Sequence, residues 1–175
     1  MIDMPDFTTE PEPKKSKKIN YGKIFEKDFK DSIPDNVFFY RFRDSSGAWQ
    51  QSENTRFTPS NISDTMLFYQ GKLYLLELKT VQGKSFSFAN VRDNQIEQLL
   101  KASVFEGITA GFIINFRDIE KTVFISAFHL YDTMCSICKK SFNISDLDNI
   151  KHIEIPRIKK RVRYRYDLEL LVTPF

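Results

Sequence analysis

The sequence has little cysteine, little glycine and no long apolar segment. Two Cys in 175 residues cannot build a disulfide framework, and six Gly without a repeating period exclude a collagen-like chain. No apolar run approaches the roughly 18 residues of a membrane-spanning helix, and the first residues hold no apolar signal-peptide core. We therefore expect a soluble cytoplasmic protein with no membrane partner, and its length fits one domain.

Aromatic and basic residues are plentiful instead. Seventeen Phe and seven Tyr indicate a β-rich core. The net charge is only +3, but segment 156–166 concentrates six cations: Arg157, Lys159, Lys160, Arg161, Arg163 and Arg165. Such a cluster favours contact with DNA phosphates. An edge strand protected by charge would have the same composition, so that alternative stays open.

The order of the predicted elements indicates the fold class. Residues 1–20 are rich in Pro, acids and Lys, which predicts a disordered arm, and residues 21–175 are expected to form a single domain. The hydrophobic pattern predicts a helix, three strands, a second helix with Val104 on its apolar stripe, two more strands and a short third helix. This order predicts an α/β or α+β fold with a mixed central sheet flanked by helices. Residues 44–61 form an overlong polar loop, which is usually functional or disordered.

A predicted hairpin brings two carboxylates together. If Gln70 and Gly71 form its turn, Asp64 lies opposite Glu77, and Lys79 shares their face. Like charges in direct opposition destabilise a sheet unless something neutralises them. Mg²⁺ or Mn²⁺ would do so, because both commonly use one or two carboxylates, and the ion could activate water for hydrolysis. A surface strand with an accidental charge pair is the alternative, although a charge inside the apolar run LYLLELKT is costly.

These residues have the form of the PD-(D/E)xK nuclease superfamily, and their surroundings resemble the RecU-type Holliday junction resolvases. The stretch RFTPSNISDTMLFYQGKLYLLELKT carries the resemblance, together with GKSFSFANVRDNQIEQL and the early GKIFEKDF. Its elements are Asp64, the strand Glu77-Leu78-Lys79, the pair Ser85-Phe86 and the helix start Asp93-x-Gln95-Ile96. The resemblance spans roughly residues 21–128.

The resemblance implies a restriction-endonuclease-like core and a single nuclease domain. It implies a homodimeric, Mg²⁺-dependent endonuclease that acts on four-way DNA junctions in recombination and repair. In this chain it implies Asp64 and Glu77 as metal ligands and Lys79 as the catalytic lysine. It also implies Glu26 as an auxiliary acid and Gln95 as a site-wall residue near the scissile phosphate.

The resemblance further implies that residues 44–61 project as a stalk into the centre of the junction. Trp49, Arg56 and Phe57 in this segment are candidate contacts to unstacked bases. The composition, rich in Lys, Ile, Asn and Phe, suits an AT-rich genome such as that of a bacteriophage. The resemblance also implies branched DNA as the partner, and other recombination proteins are candidate partners.

Two rival functions stay open from the sequence. A nuclease of the same fold could act on flaps or on ordinary duplex, because the shared site performs the chemistry. A junction-binding accessory protein could have lost cleavage altogether. The presence of Asp64, Glu77 and Lys79 together argues against that loss.

One cysteine pair has the spacing of a metal or redox site. Cys135 and Cys138 are separated by two residues, but only His129 and His152 are present to complete a four-ligand zinc site. We therefore expect two ordinary thiols.

Overall fold

The computed structural model describes residues 19–42 and 61–172. Nearly all of the predicted arm and stalk, including Trp49, Arg56 and Phe57, lie outside the described residues. The helices are α1 (Tyr21–Lys30), α2 (Asp93–Ser103), α3 (Ala127–Ser136) and α4 (Glu169–Val172). The strands are β1 (Phe38–Arg41), β2 (Thr65–Tyr69), β3 (Lys72–Val81), β4 (Ser85–Ser87), β5 (Ile108–Phe116), β6 (Lys121–Ser126), β7 (Ser141–Asn143), β8 (Ile153–Glu154), β9 (Arg157–Lys160) and β10 (Arg163–Tyr166).

A six-stranded sheet organises the described residues, with the order β1-β2-β3-β5-β6-β8. The neighbours β3 and β5 are parallel, and every other neighbouring pair in this sheet is antiparallel. A parallel pair needs a long crossover, and the segment containing α2 provides it. The mixed sheet with flanking helices confirms the fold class predicted from the sequence.

Two apolar layers cover the sheet. One cluster joins β5 and β6 to α2 and α3, and the other joins the opposite sheet face to α1, β10 and α4. We call these two sides the α2 face and the α1 face. Strand alternation places Leu75 on the α2 face and Leu76 on the α1 face. Because both faces are covered, β3 is a nearly continuous apolar run.

Local sequence signals fix both long helices beside the sheet. Asn20 caps α1 by accepting a hydrogen bond from the Lys23 backbone N–H at 3.0 Å, and Phe29 is fully buried against the α1 face. In α2, Leu99 is fully buried, as the apolar stripe predicts. The placement of Val104 on that stripe was wrong, because α2 ends at Ser103 and Val104 is 77% exposed.

Several short elements were absent from the sequence prediction. Strands β4 and β7 form a two-stranded antiparallel sheet, and β8 adds a short edge to the central sheet. The basic segment forms β9 and β10, an antiparallel pair outside the central sheet. None of the helices among the described residues is long and apolar enough to cross a membrane.

Candidate active site

The hairpin β2–β3 has the register that the sequence predicts. Tyr69 pairs with Lys72, and the turn residues Gln70 and Gly71 both have positive φ, at 46° and 78°. Such a two-residue turn fits the right-handed twist of the strands. The register confirms the pairing rule from which the sequence analysis placed the two acids opposite each other.

The predicted metal ligands lie where that register places them. Asp64 immediately precedes β2, and its Oδ2 accepts a hydrogen bond from the Leu78 backbone N–H at 3.2 Å. Glu77 therefore has Asp64 as its neighbour across the strands. Both acids belong to the α2 face, close to the point where β3 leaves the apolar layer.

Glu77 is the centre of a three-residue polar cluster. Its side chain is 2% exposed. Its Oε2 lies 3.2 Å from Lys79 Nζ and accepts a hydrogen bond from Gln95 Nε2 at 2.9 Å. Lys79 Nζ in turn donates to Gln95 Oε1 at 3.3 Å, which closes the triangle. The geometry thus unites Glu77, Lys79 and Gln95 within hydrogen-bonding distance.

The start of α2 holds Gln95 in this cluster. The Arg92 backbone N–H donates to Gln95 Oε1 at 3.3 Å, so the side chain folds back over the first turn of the helix. Ile96, the next residue, is buried in the α2-face core and anchors that turn. Gln95 therefore orients Glu77 and Lys79 from a rigid element, which favours a fixed geometry at the site.

The site carries more negative charge than its protein neighbours compensate. Burial, and after it repulsion from Asp64, raise the pKa of Glu77 to about 7 against the opposing effect of Lys79. A group whose ionised form is this costly is more typical of a functional site than of a structural ion pair. A bound cation would stabilise the ionised carboxylates.

The donor set fits a small hard cation. The part of the chain that the structure describes holds no group of three or more His, Cys, Asp or Glu side chains suited to a metal. Two carboxylates with water in the remaining positions suit Mg²⁺ or Mn²⁺, which do not need an all-protein cage. Asp64 and Glu77 are the residues that would hold such an ion.

Glu26 belongs to α1 and lies on the other side of the sheet from Asp64 and Glu77. Its carboxylate pairs with Arg41 at 2.6 Å. Both line a pocket of about 420 Å³ together with Thr65 and Leu78, the residues that directly follow the two predicted metal ligands. Leu78 and Thr65 belong to the α1 face, so the structure places Glu26 across the sheet from the Asp64 and Glu77 side chains, and its role as an auxiliary acid stays a prediction.

The six cations of the basic segment fall into two groups. Four of them are exposed on the β9–β10 pair: Lys159, Lys160, Arg161 and Arg165. Arg157 and Arg163 turn toward the protein instead. Arg163 Nε lies 2.6 Å from Oδ1 of the buried Asp28, and Arg157 Nη1 donates to Asn115 Oδ1 at 3.1 Å. The sequence analysis predicted that all six contact DNA, and it did not predict that two of them contact the protein instead.

The cysteine pair does not form a metal centre in the described structure. Cys135 and Cys138 are both free and exposed. His129 Nδ1 is 2.7 Å from Ser126 Oγ, and His152 Nδ1 is 2.8 Å from the Ile150 carbonyl oxygen. The assignment of two ordinary thiols stays a prediction.

Comparison with known proteins identifies the family. A family model described as Recombination protein U matches residues 34–168. The chain belongs to this family. The "SPbeta prophage-derived uncharacterized protein YotM" of Bacillus subtilis (strain 168) is 29% identical over 167 residues, with 87% of this chain and 85% of that protein covered. Among solved structures, Archaeoglobus fulgidus Hjc, "a Holliday junction resolvase from an archaeal hyperthermophile", covers 74% of this chain and 93% of its own, with a TM-score of 0.48 and 13% identity.

The RecU match confirms the family resemblance that the sequence motifs predicted. Its range contains Asp64, Glu77, Lys79 and Gln95, whereas Glu26 lies before it. The β9–β10 pair also lies within the matched range.

Sequence analysis overlooked Asp28. The available signal was an acid among the apolar positions of α1, one residue before the fully buried Phe29.

Proposed function

We propose that this RecU-family chain is a metal-dependent endonuclease that resolves four-way DNA junctions in the cytoplasm. The buried Glu77, opposed by Asp64 and bonded to Lys79 and Gln95, carries the proposal. A buried acid facing a second acid costs stability, and a cation site for phosphodiester hydrolysis accounts for that cost. Family membership supports DNA recombination as the setting.

The proposed chemistry is hydrolysis of one DNA phosphodiester bond. Asp64 and Glu77 would hold Mg²⁺ or Mn²⁺, which when bound supplies charge stabilisation and a water nucleophile. Lys79 is 19% exposed in its side chain, so its ammonium can meet a phosphoryl oxygen or orient the attacking water. Gln95 fixes the Lys79 ammonium and the Glu77 carboxylate relative to each other before DNA arrives.

The proposed substrate requires two cuts related by approximate two-fold symmetry. A homodimer supplies two such sites through one isologous interface. We expect light scattering at micromolar concentration to give the mass of a dimer. A monomer that still introduces paired cuts would contradict this part of the proposal.

The decisive experiment compares four-way junctions, flaps and linear duplex as substrates in Mg²⁺, Mn²⁺ or chelator. We expect junction cleavage with either ion and none in chelator. Preferred cleavage of flaps or duplex would favour a nuclease of another specificity. Junction binding without cleavage of any substrate would favour a non-catalytic accessory protein.

The stalk prediction can be tested in the same assay. Trp49, Arg56 and Phe57 lie outside the described residues, and their contact with junction bases rests on the family resemblance. A chain shortened between positions 47 and 57 should lose its preference for junctions and keep nicking of duplex. Affinities for junction and duplex that fall in parallel would exclude this segment as the junction reader.

A further inference from the structure

A second polar cavity lies in the layer on the α1 face, away from Glu77. It has a volume of about 420 Å³ and lies between α1, the end of β5 and the β9–β10 pair. Its lining includes two arginines and three tyrosines: Arg117, Arg157, Tyr21, Tyr164 and Tyr166. Of these five residues, only Arg157 was a candidate site residue in the sequence analysis.

Arg157 has hydrogen-bond donors that the protein does not use. Nη1 donates to Asn115 Oδ1 at 3.1 Å, and the guanidinium stacks 4.1 Å from the centre of the Tyr164 ring. Nε and Nη2 are buried and have no hydrogen-bond partner among the described residues. Burial raises the pKa of Tyr166, and a hydrogen bond and the positive charge of this guanidinium oppose that rise, yet neither Nε nor Nη2 has a partner in good hydrogen-bond geometry. Buried donors normally have a partner, and the described residues supply none in good geometry for these two.

The acids that border the cavity are already engaged. Asp28 Oδ1 pairs with Arg163 Nε at 2.6 Å, and Asp28 Oδ2 accepts from the Tyr164 backbone N–H at 3.3 Å. Asp118 Oδ2 accepts from the Gly83 backbone N–H at 2.9 Å. The Arg157 charge therefore lacks a carboxylate of its own within the cavity.

Arg117 adds a second cation to the same cavity. Its guanidinium stacks 4.0 Å from the centre of the Tyr21 ring, and its Nε donates to the Val81 carbonyl at 3.4 Å. Two arginines held against aromatic rings have little freedom left to lose on binding. Their planar donor forks match the oxygens of a phosphate group.

We propose that this cavity binds a phosphate group of the DNA strand. The inference rests on the proposed nuclease function and adds a DNA contact outside the active site. The parallel register pairs Lys79 with Ile114 and Thr80 with Asn115. Asn115, in the cavity, is therefore one strand and one residue from Lys79, on the opposite face at the same end of the sheet. The proposal requires the bound strand to pass around this end of the sheet from Lys79 to the cavity.

The first experiment observes the unused donors directly. The full chain is kept in chelator to prevent cleavage, and the Arg157 Nε–H resonance is followed by NMR. It is titrated with inorganic phosphate in one series and with a duplex oligonucleotide in another. We expect a saturable shift in both series.

Two other outcomes would each overturn a stated part of the inference. A shift with inorganic phosphate alone overturns the assignment to DNA, because the cavity would then take a free phosphate compound. No shift in either series overturns the phosphate site. DNA binding is read without cleavage, so a failed cleavage assay does not decide this experiment.

The second experiment tests the energetic consequence with Arg157→Gln and Arg117→Gln. Loss of one phosphate contact should lower the slope of log affinity against log salt by about 0.9. When salt rises from 50 to 200 mM, the DNA affinity of each variant should fall by a factor roughly 3.5 times smaller than that of the wild type. Lys101→Gln is the matched control, because it removes one positive charge from an exposed ion pair on α2.

The control should keep the wild-type slope. If Arg157→Gln, Arg117→Gln and Lys101→Gln all show the same salt slope, the cavity is not a DNA contact. Thermal melting is measured for each protein, and if Arg157→Gln does not fold, Arg117→Gln decides the question.

Discussion

Glu77 and Asp28 are two equally buried acids on opposite sides of the same sheet, and their surroundings are opposite in kind. Glu77 is 2% exposed and Asp28 is 3% exposed. Asp28 has Arg163 and the Tyr164 N–H on its two oxygens, so its charge is compensated within the fold. Glu77 faces Asp64, which raises its pKa, and shares Lys79 with Gln95. Burial alone therefore does not distinguish the two acids, whereas burial against a second acid is the feature that sets Glu77, the predicted metal ligand, apart from Asp28.

The comparison also separates the tasks of the two faces. On the α2 face the protein leaves negative charge uncompensated, as a cation site requires. On the α1 face it leaves positive charge uncompensated at Arg157, as a phosphate site requires. Each face thus offers what one component of a metal–DNA complex needs.

The largest expected effect is the loss of cleavage when either acid of the α2 face is neutralised. Asp64→Asn and Glu77→Gln should each lower the junction cleavage rate by roughly a thousandfold or more, because charge stabilisation at the reacting phosphate is lost. Junction binding should be unchanged or tighter, since repulsion of phosphates falls. Single-turnover cleavage and competition binding measure the two quantities separately.

Glu97→Gln is the control for this prediction. Glu97 is an exposed acid of α2 that pairs with Lys101 at 2.7 Å, so its loss should not affect cleavage. Equal losses of binding and cleavage in a folded Asp64 or Glu77 variant would refute their role as metal ligands.

The next effect concerns pH and sharpens the comparison through stability. The Glu77 pKa is about 7 in the folded chain, against an ordinary value of 4.5. The folded state therefore holds this proton more tightly than the unfolded state does. Tighter binding of the Glu77 proton therefore stabilises the folded state by at most about 3 kcal/mol. This stabilisation is fully present below about pH 4.5 and is lost as pH rises toward 7.

Urea unfolding in chelator at pH 5 and pH 8 measures this loss. Glu77→Gln lacks the titrating group. The unfolding free energy of the variant minus that of the wild type should therefore increase as pH rises. Added Mg²⁺ should restore wild-type stability at pH 8 by binding the folded state. A difference between the two proteins that is independent of pH would contradict the shifted pKa.

Asp28→Asn should have a somewhat smaller effect on stability, in the opposite direction to Glu77→Gln. Removing one partner of a buried ion pair leaves the other uncompensated and usually costs 3–5 kcal/mol. We expect about 2–3 kcal/mol here, because the Arg163 side chain is 35% exposed and water compensates part of its charge.

Asp31→Asn on the same helix provides the control for Asp28→Asn. Its pair with Lys27 is half exposed, so the change should cost less than about 0.5 kcal/mol. Urea unfolding of both variants at pH 7 measures the difference. Equal costs would mean that Asp28 is not the compensated acid that its contacts indicate.

The sequence was sufficient for the hairpin and its two acids. A two-residue turn and the period of two fix which residues face each other, and the apolar run around Glu77 indicates its burial. The position of Gln95 beside Glu77 came from the family resemblance, since no spacing rule links a strand to the next helix. The placement of Val104 on the helix stripe was wrong because periodicity does not show where a helix ends.

The division of the basic segment could not be predicted from its composition. Arg157 shares the face of the β9–β10 pair that carries Tyr164 and the buried Tyr166, whereas the register places Arg163 on the other face, from which it still pairs with Asp28. Asp28 is more than a hundred residues from them in sequence. Alternation would therefore separate these two arginines, and only their tertiary contacts show that both are engaged within the fold.

The smallest expected effect comes from the exposed cations of the β9–β10 pair. Lys159→Gln or Arg165→Gln should weaken binding to junction and duplex alike, because contacts to phosphates carry no shape information. Each should lower the salt slope by about one if it contacts one phosphate, and neither should lower the unfolding free energy by more than about 0.5 kcal/mol. Arg163→Gln is the contrasting variant, since its guanidinium pairs with Asp28 and its loss should appear mainly in unfolding. Competition binding across a salt series and urea unfolding of all three variants test the division. If Arg163→Gln lowers the salt slope as much as Lys159→Gln without destabilising the fold, the inward and outward cations do not differ in function.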